Sequence, residues 1–433
     1  MKYCKRCLYP SNHPLNITFD EYGVCSGCRI HEEKDILNWK ERKEKLSKIF
    51  DEYRSPTSAA YDCIIPVSGA KDSYFIVHVV KNIFKMHPLL VTYNKQYNTR
   101  IGIRNLAYLQ AVFGCDLIST TVSPERVKRI TRESLRQRGS MYWHCLAGAT
   151  VFPVQSAVKL KVPLIVWGAH QGCDQVGMFS HLDEVEMTRK YRKEHDLMGL
   201  EAEDIVRSGT EVSIDDMRPY IYPHDKELET VGVRGIYLNN YFRWDSKAQH
   251  ELMIEEFGYQ TMNQQRTFDT YNDIDCFHYS AIHDYIKFLK WGYGKATDHA
   301  CREIRLKRMT RKEGVAMVRK YQNAFPSDLP LFLEWVEMSE LEFWEHIDRF
   351  RDPSIWGKDE FGNWELKDTI LNHIDDEGVD DVRLERVEKC EFSVTQPKNS
   401  EYFSDDYVHI GRDCVDRGYI TDVIKEYPLP LFS

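Results

Sequence analysis

Six consecutive residues, Ser68-Gly-Ala-Lys-Asp-Ser73, carry the groups that polyphosphate chemistry uses. The two hydroxyls and the Lys71 ammonium attract an anion, and Asp72 offers a ligand for a phosphate-bound magnesium ion. Their flanks supply the geometry. Ile64, Ile65 and Val67 read as a buried strand, while Phe75/Ile76, Val79/Val80 and Ile83/Phe84 recur at four-residue spacing and set three apolar pairs on one helical face. A strand, a small-residue turn and a helix without a spacer aim backbone N–H groups and the positive end of a helix dipole at one point. The spacing is not that of a Walker A loop, and the three glycines of a dinucleotide fingerprint are absent. Taken alone, so short a string favours an ordinary capped helix after a strand, with Ser68 as the cap.

Three other groups stand out. Cys4-Lys-Arg-Cys7 and Cys25-Ser-Gly-Cys28 are two Cys-x-x-Cys pairs with 17 residues between them, a spacing that lets two knuckles close one tetrahedral thiolate site. Four cysteines leave no open position, so the expected zinc is structural, with Lys5, Arg6 and Arg29 close enough to offset thiolate charge. The stretch Trp167–His181 is rich in glycine and places His170, Asp174 and His181 beyond an apolar run. These three are candidate substrate or acid/base groups, and surface-loop polars are an equal alternative for any one of them. Finally, Arg302, Arg305, Arg308 and Arg311 recur every three residues after Gly294-Lys-Ala-Thr-Asp-His299. They read either as a grip for phosphates or a sugar carboxylate or as a solvated basic face.

The elements that must position these groups alternate in type. Strands are expected at Ile64–Val67, Pro88–Tyr93, Asp116–Val122 and Val162–Gly168, and helices after the loop and at Thr99–Phe113, Pro124–Arg138 and Gly148–Lys161. This pattern predicts an α/β fold with a doubly wound parallel sheet and ligands at the carboxyl ends of its strands. A Lys/Glu-rich helix between Asp35 and Tyr53 would link knuckle and core. From about residue 200 the pattern turns helical and aromatic, and the tail from Glu365 is acidic with no catalytic motif. The expected units are a knuckle with linker helix (1–55), a nucleotide-binding domain (56–200) and a mainly helical substrate or partner region (201–433).

Composition narrows the function. The chain has 433 residues, 42% hydrophobic, enough for a substantial core. No apolar run approaches the roughly 20 residues that span a bilayer, and Met1-Lys-Tyr-Cys-Lys-Arg6 lacks the apolar core of a secretion signal. A cytoplasmic protein without a membrane partner is therefore expected. A formal charge of −9 makes a nucleic-acid partner an unfavoured reading, although the basic segment Pro124–Arg138 keeps RNA open.

The Ser68–Ser73 loop resembles the Ser-Gly-Gly-x-Asp-Ser signature of the PP-loop ATP pyrophosphatases, with Ala70 in place of the second glycine. A methyl group there would crowd a phosphate or disfavour a positive φ, leaving a tolerant or a weakened loop as the alternatives. Knuckle, loop and the Gly294–Arg311 block together resemble the N-acetyl sugar amidotransferases of bacterial surface-glycan biosynthesis. The Gly168–His181 stretch leans toward the pseudaminic-acid branch (PseA) over the mannuronic-acid branch (WbpG). The resemblance implies ATP, Mg2+ and Zn2+ as cofactors, and ATP-driven conversion of a sugar acetamido group to an acetamidino group through an adenylylated imidate. It implies nucleotide contacts from Ser68, Gly69, Ala70, Lys71, Asp72, Ser73, Tyr93 and Gly168, and catalytic roles for Lys71 and Asp72, with His170 or Asp174 as base. Sugar contacts would come from His181, Arg302, Arg305 and Arg308, and metal ligation from Cys4, Cys7, Cys25 and Cys28. Nothing in the sequence resembles a glutaminase module, so ammonia is expected from a separate glutamine-hydrolysing subunit. Rival readings are a tRNA thiolation enzyme, which would need a sulfur-transfer role for Cys115, Cys145 or Cys173, and a non-catalytic nucleotide-binding scaffold.

Overall fold

Strands β1 (Cys63–Pro66), β2 (Pro88–Tyr93), β3 (Leu117–Thr120), β4 (Leu164–Trp167) and β5 (Arg234–Tyr237) form one parallel sheet in the spatial order β3-β2-β1-β4-β5. The computed structural model describes residues 1–57, 60–206, 210–380, 382–385 and 390–395. The tail beyond residue 395, read from sequence as acidic and without a motif, lies outside the described residues. In β1, Ile64 pairs with Leu89 of β2 and with Ile165 of β4.

Alternation along each strand explains why the sheet is covered on both sides. Cys63, Ile65, Leu90 and Val166 face one layer, with Phe75, Ile76 and Val80 after the loop, Leu109 and Phe113 of α4 (Arg100–Phe113), and Leu46 and Phe50 of α2 (Trp39–Tyr53). Ile64, Leu89, Val91 and Ile165 face the other, with Val151, Val154 and Ala157 of α6 (Trp143–Leu160). The order of connection reverses between β1 and β4, so the loops after these two strands open into the same crevice.

The α/β alternation of the sequence is present, with four departures. The helix after the loop is α-helical only over α3 (Lys71–Val77) and continues as a π-helix over His78–Ile83. The wider turn advances the register, so Phe84 is buried while Ile83 is turned to solvent, off the stripe that four-residue spacing expects. Helix α6 begins five residues ahead of the expected Gly148, taking in the buried Trp143, and accommodates Pro153 in its interior. A fifth strand, β5, falls in the stretch past residue 200 that reads as helical, because four residues of Arg-Gly-Ile-Tyr carry no strand period of their own. Trp356–Lys358 and Trp364–Leu366 likewise pair as an antiparallel ribbon within that region.

Elsewhere past the sheet the chain is mainly helical, including Phe277–Trp291, Lys295–Arg305 and Arg311–Tyr321. The N-terminal knuckle does more than hang from its linker. Leu8, Tyr9 and the four cysteines share an apolar cluster with Ala300, Cys301, Ile304, Val315 and Val318 of helices Lys295–Arg305 and Arg311–Tyr321, which ties the N-terminal knuckle to the helical region. Among the described residues no helix is long and apolar enough to cross a membrane.

Candidate active site and metal centre

The loop after β1 is shaped by one glycine. Gly69 has φ +81°, and a Cβ there would lie 2.8 Å from both the Leu106 Cβ and the Leu106 backbone nitrogen. Ala70, the irregular residue of the string, has φ −78° and ψ 173°, an extended conformation open to any L-residue, and is itself the N-cap of α3. Its methyl group therefore costs no backbone strain. Ser68 is not the cap: its Oγ accepts from the Ala70 N–H at 3.2 Å, and Ser73 Oγ accepts from the Ser68 N–H at 3.1 Å. Both hydroxyls thus fix the loop. The N–H groups of Lys71 and Asp72, in the first turn of α3, have no intrahelical acceptor.

Lys71 Nζ lies 3.0 Å from Asp72 Oδ1 and 3.4 Å from Ser246 Oγ. Burial pushes the Asp72 carboxyl up, but Lys71 and His250 outweigh it and hold it down at about 2. Asp72 is therefore an anion at neutral pH. The loop after β4 approaches from the side: Asp174 accepts from the buried Lys34 ammonium at 2.5 Å, and His170 N–H donates to Asn239 Oδ1 at 3.1 Å.

A cavity of about 320 Å³ opens where these loops meet the helical region. Lys71 and Asp72 line one side, Ala169, Gln171, Asp174 and Gln175 another, and Asp273, Asp284, Lys287, Lys295, Asp298, His299, Arg302 and Arg305 the third. Opposite charges alternate around it. Lys287 pairs with Asp298 at 2.5 Å, Lys295 with Asp273 at 2.9 Å and Arg302 with Asp269 at 2.6 Å. Such a wall suits a small, highly polar ligand with many hydroxyl and amide groups.

The structure separates the residues that the sequence singles out. Lys71, Asp72, Asp174, Arg302 and Arg305 line the one cavity. His170 turns away from it into an aromatic nest, its ring 4.0 Å from that of Tyr191 and 4.7 Å from that of Tyr237. His181 is fully buried, with Trp39 against its ring. Burial holds both imidazoles down at about 4, so they are neutral at pH 7. Tyr93, at the end of β2, is buried with its hydroxyl 2.8 Å from the Tyr220 hydroxyl and 3.1 Å from His144 Nδ1. Gly168 directly follows β4, where a side chain would press on Ile76 and Trp244.

The arginines divide into two pairs. Arg302 and Arg308 clamp the fully buried Glu303, with Arg308 also held by Asp245 at 2.7 Å. Arg305 and Arg311 face the cysteines. Arg305 Nη2 lies 3.5 Å from Cys25 Sγ and 3.9 Å from Cys7 Sγ, and Arg311 donates to the carbonyls of Cys4 and Cys7. Nearby cations in sequence do not take that part: Arg6 pairs with Glu32 and Asp380, and Arg29 with Asp20.

Cys4, Cys7, Cys25 and Cys28 are all buried, with their sulfurs within 4.8 Å of one another. The Cys4–Cys28 and Cys7–Cys25 separations are 4.0 and 3.6 Å, bracketing the ~3.8 Å edge of a tetrahedron with metal–sulfur bonds of about 2.3 Å. The cluster fits a metal such as zinc. Backbone N–H groups of Cys7 and Cys25 both point at Cys4 Sγ at 3.3 Å, and Gly27 is required because any side chain there would meet the Arg305 guanidinium. The knuckle also reaches the cavity. Tyr9 Oη donates to Asp298 Oδ1 at 3.0 Å and accepts from Gln175 Nε2 at 3.1 Å.

Sequence reasoning did not single out Tyr9, Ser246, Asp273, Asp284, Lys287, Lys295, Asp298 or His299 as site residues. Asp284 and Lys287 are hidden in an aromatic helical run. Asp298 and His299 stood within the Gly294–Arg311 block, whose arginines drew the reading instead.

Comparison with known proteins bears on that third wall. The family profile described as "LPS biosynthesis protein WbpG-like, C-terminal domain" matches residues 265–370, the stretch that supplies every cavity residue from Asn272 to Arg305. An uncharacterized protein of Methanocaldococcus jannaschii is 25% identical over 115 residues, which cover 27% of this chain and 41% of that protein.

Proposed function

We propose that the chain is an ATP-dependent N-acetyl sugar amidotransferase of surface-glycan biosynthesis, a reading supported by the similarity of residues 265–370 to the C-terminal domain of WbpG-like lipopolysaccharide-biosynthesis proteins. The observation that carries this reading is the cavity itself, where the loop after β1 meets the family-matched helices. A polyphosphate fits the loop: Gly69 leaves no room for a side chain, the first amides of α3 are free, and Lys71 adds a cation. Asp72, anionic at neutral pH, is suited to a phosphate-bound Mg2+.

The chemistry requires activation because an amide oxygen is a poor leaving group. Attack of the acetamido oxygen on the α-phosphate of ATP releases pyrophosphate, and ammonia then displaces AMP. Lys71 would stabilise charge on the departing pyrophosphate. The alternating cations and carboxylates of the third wall would hold the sugar's hydroxyl, amide and carboxylate groups. Zinc in the knuckle would be structural, fixing Tyr9 and Arg305 against the cavity. A separate glutamine-hydrolysing subunit would deliver ammonia. The resemblance of the Gly168–His181 stretch supports a pseudaminic-acid-type sugar as the substrate.

Incubating the chain with candidate nucleotide sugars, ATP, Mg2+ and ammonia tests this. Amidination replaces oxygen by NH, a shift of about −1 Da, with AMP appearing in step. Sugar-independent ATP turnover with no mass change would sink the reading.

A further inference from the structure

The proposed reaction needs a base in the cavity; of the two expected, His170 turns away from it and Asp174 is held by the Lys34 ammonium at 2.5 Å. His299 stands where a base is required. It lies in the helix Lys295–Arg305 on the third cavity wall, and its Nδ1 is 2.6 Å from Thr267 Oγ1 and 3.8 Å from Asp269 Oδ2. The Thr267 hydroxyl is itself fixed, since it accepts from the Asp269 N–H at 3.2 Å. Asp269 is fully buried, and Arg302 at 2.6 Å and the backbone N–H groups of Tyr271 and Asn272 hold it as an anion. With its proton on Nδ1, donated to the Thr267 hydroxyl at 2.6 Å, the ring leaves the Nε2 lone pair for the cavity that His299 lines. Lys295, Asp298 and Arg302 on the same helix, and Asp269 and Asp273 from the segment before Phe277–Trp291, are charges that act on the ring. Burial, helped by Arg302 and Lys295, keeps the imidazole down at about 4, so the lone pair is available at neutral pH.

We propose that His299 is the general base of the amidination step, with Thr267 and Asp269 as its positioning residues. This inference rests on the amidotransferase reading above. When ammonia adds to the protonated, adenylylated imidate, its lone pair forms the new C–N bond and the nitrogen becomes an ammonium group. That nitrogen cannot lend electrons to expel AMP until it loses a proton. His299 Nε2 takes this proton. The nitrogen lone pair then re-forms a C=N bond, and the C–O bond breaks with its electron pair leaving on the AMP oxygen. The product is an amidinium ion, and the His299 proton returns to solvent. The role differs from that of Lys71, which acts on pyrophosphate in the earlier half of the reaction.

The test separates the two halves. In the His299→Gln and His299→Ala variants, amidine formation should fall about 100-fold or more, while sugar-dependent pyrophosphate release falls far less. The stalled adenylate would be hydrolysed back to the amide, so the ratio of AMP to amidine, near one in the unaltered protein, should rise at least tenfold. Added imidazole should restore amidine formation in His299→Ala, which leaves space for it, and not in His299→Gln. Melting followed by circular dichroism checks that both variants fold. If AMP and amidine fall together with the ratio unchanged, or imidazole restores nothing, His299 is not the base. If the unaltered protein shows no sugar-dependent AMP at all, the amidotransferase reading fails, whatever the variants do.

Discussion

Gly69 and Ala70 are neighbours in one phosphate-type loop, yet the structure assigns them opposite tolerances. Gly69 has φ +81°, where an L-side chain is strained by about 1–2 kcal/mol. A Cβ there would also sit 2.8 Å from the Leu106 Cβ and backbone nitrogen and 3.0 Å from the Gly102 carbonyl. Those neighbours belong to α4, whose backbone cannot yield cheaply, and overpacking of this kind adds about 1–3 kcal/mol. Gly69→Ala should therefore destabilise the nucleotide-binding sheet by about 2–5 kcal/mol. Ala70→Gly, at φ −78°, removes no strain. A glycine N-cap is better than alanine by a few tenths of a kcal/mol or more, whereas the unfolded chain gains entropy of about 0.5–1 kcal/mol. The two nearly cancel, and the net change should stay within about 1 kcal/mol. Urea denaturation followed by far-ultraviolet circular dichroism measures both, with ATP binding measured by calorimetry alongside. If Gly69→Ala is as stable as the unaltered chain, or Ala70→Gly shifts stability as strongly as Gly69→Ala, the loop geometry argued here is wrong.

Other outcomes follow from the knuckle and the buried histidines. Arg305→Met should weaken metal retention by the four cysteines by about 10- to 100-fold, measured by chelator competition, because it removes the guanidinium beside Cys7 and Cys25. Tyr9→Phe deletes the hydroxyl between Asp298 and Gln175. It should cost about 1 kcal/mol, read as about a fivefold rise in KM for the sugar with metal content unchanged. His181 and His250 are fully buried, His181 with no hydrogen-bond partner on either ring nitrogen and His250 with Nε2 3.7 Å from Asp72 Oδ1, and burial holds each down at about 4. Their folded pKa lies below the unfolded ~6.5, so the unfolded state binds more protons between these values. Stability is complete above pH ~6.5 and falls by about 1.4 kcal/mol per pH unit per histidine toward pH 4. Denaturation midpoints taken across that window should show this slope, reduced by about one proton in His181→Gln.

The sheet was largely legible because its strands and helices carry clear periods, with β2 and α5 (Pro124–Arg138) matching their expected bounds. The four-cysteine cluster was legible for a different reason: paired Cys-x-x-Cys spacing is what a tetrahedral thiolate site requires. What escaped was set by tertiary contact. Arg305 looks like any other basic residue at three-residue spacing until Gly27 lets it reach the sulfurs. His170, in a glycine-rich loop after a strand, had the sequence context of a catalytic group, but Tyr191 and Tyr237 enclose it. His299 had no such context, since Thr267 and Asp269 come from a separate loop. Ala70 appeared as a defect because the positive φ was assigned to it in place of Gly69, a distinction that only the folded backbone makes.

In the proposed reaction the sugar's amide oxygen attacks the α-phosphate of ATP and departs with AMP. A substrate labelled with heavy oxygen in its acetamido group tests it directly. Amidine product without the label and AMP that carries it are expected in equal amounts. Label recovered in free phosphate or retained in the sugar, or turnover that yields ADP in place of AMP, would contradict it.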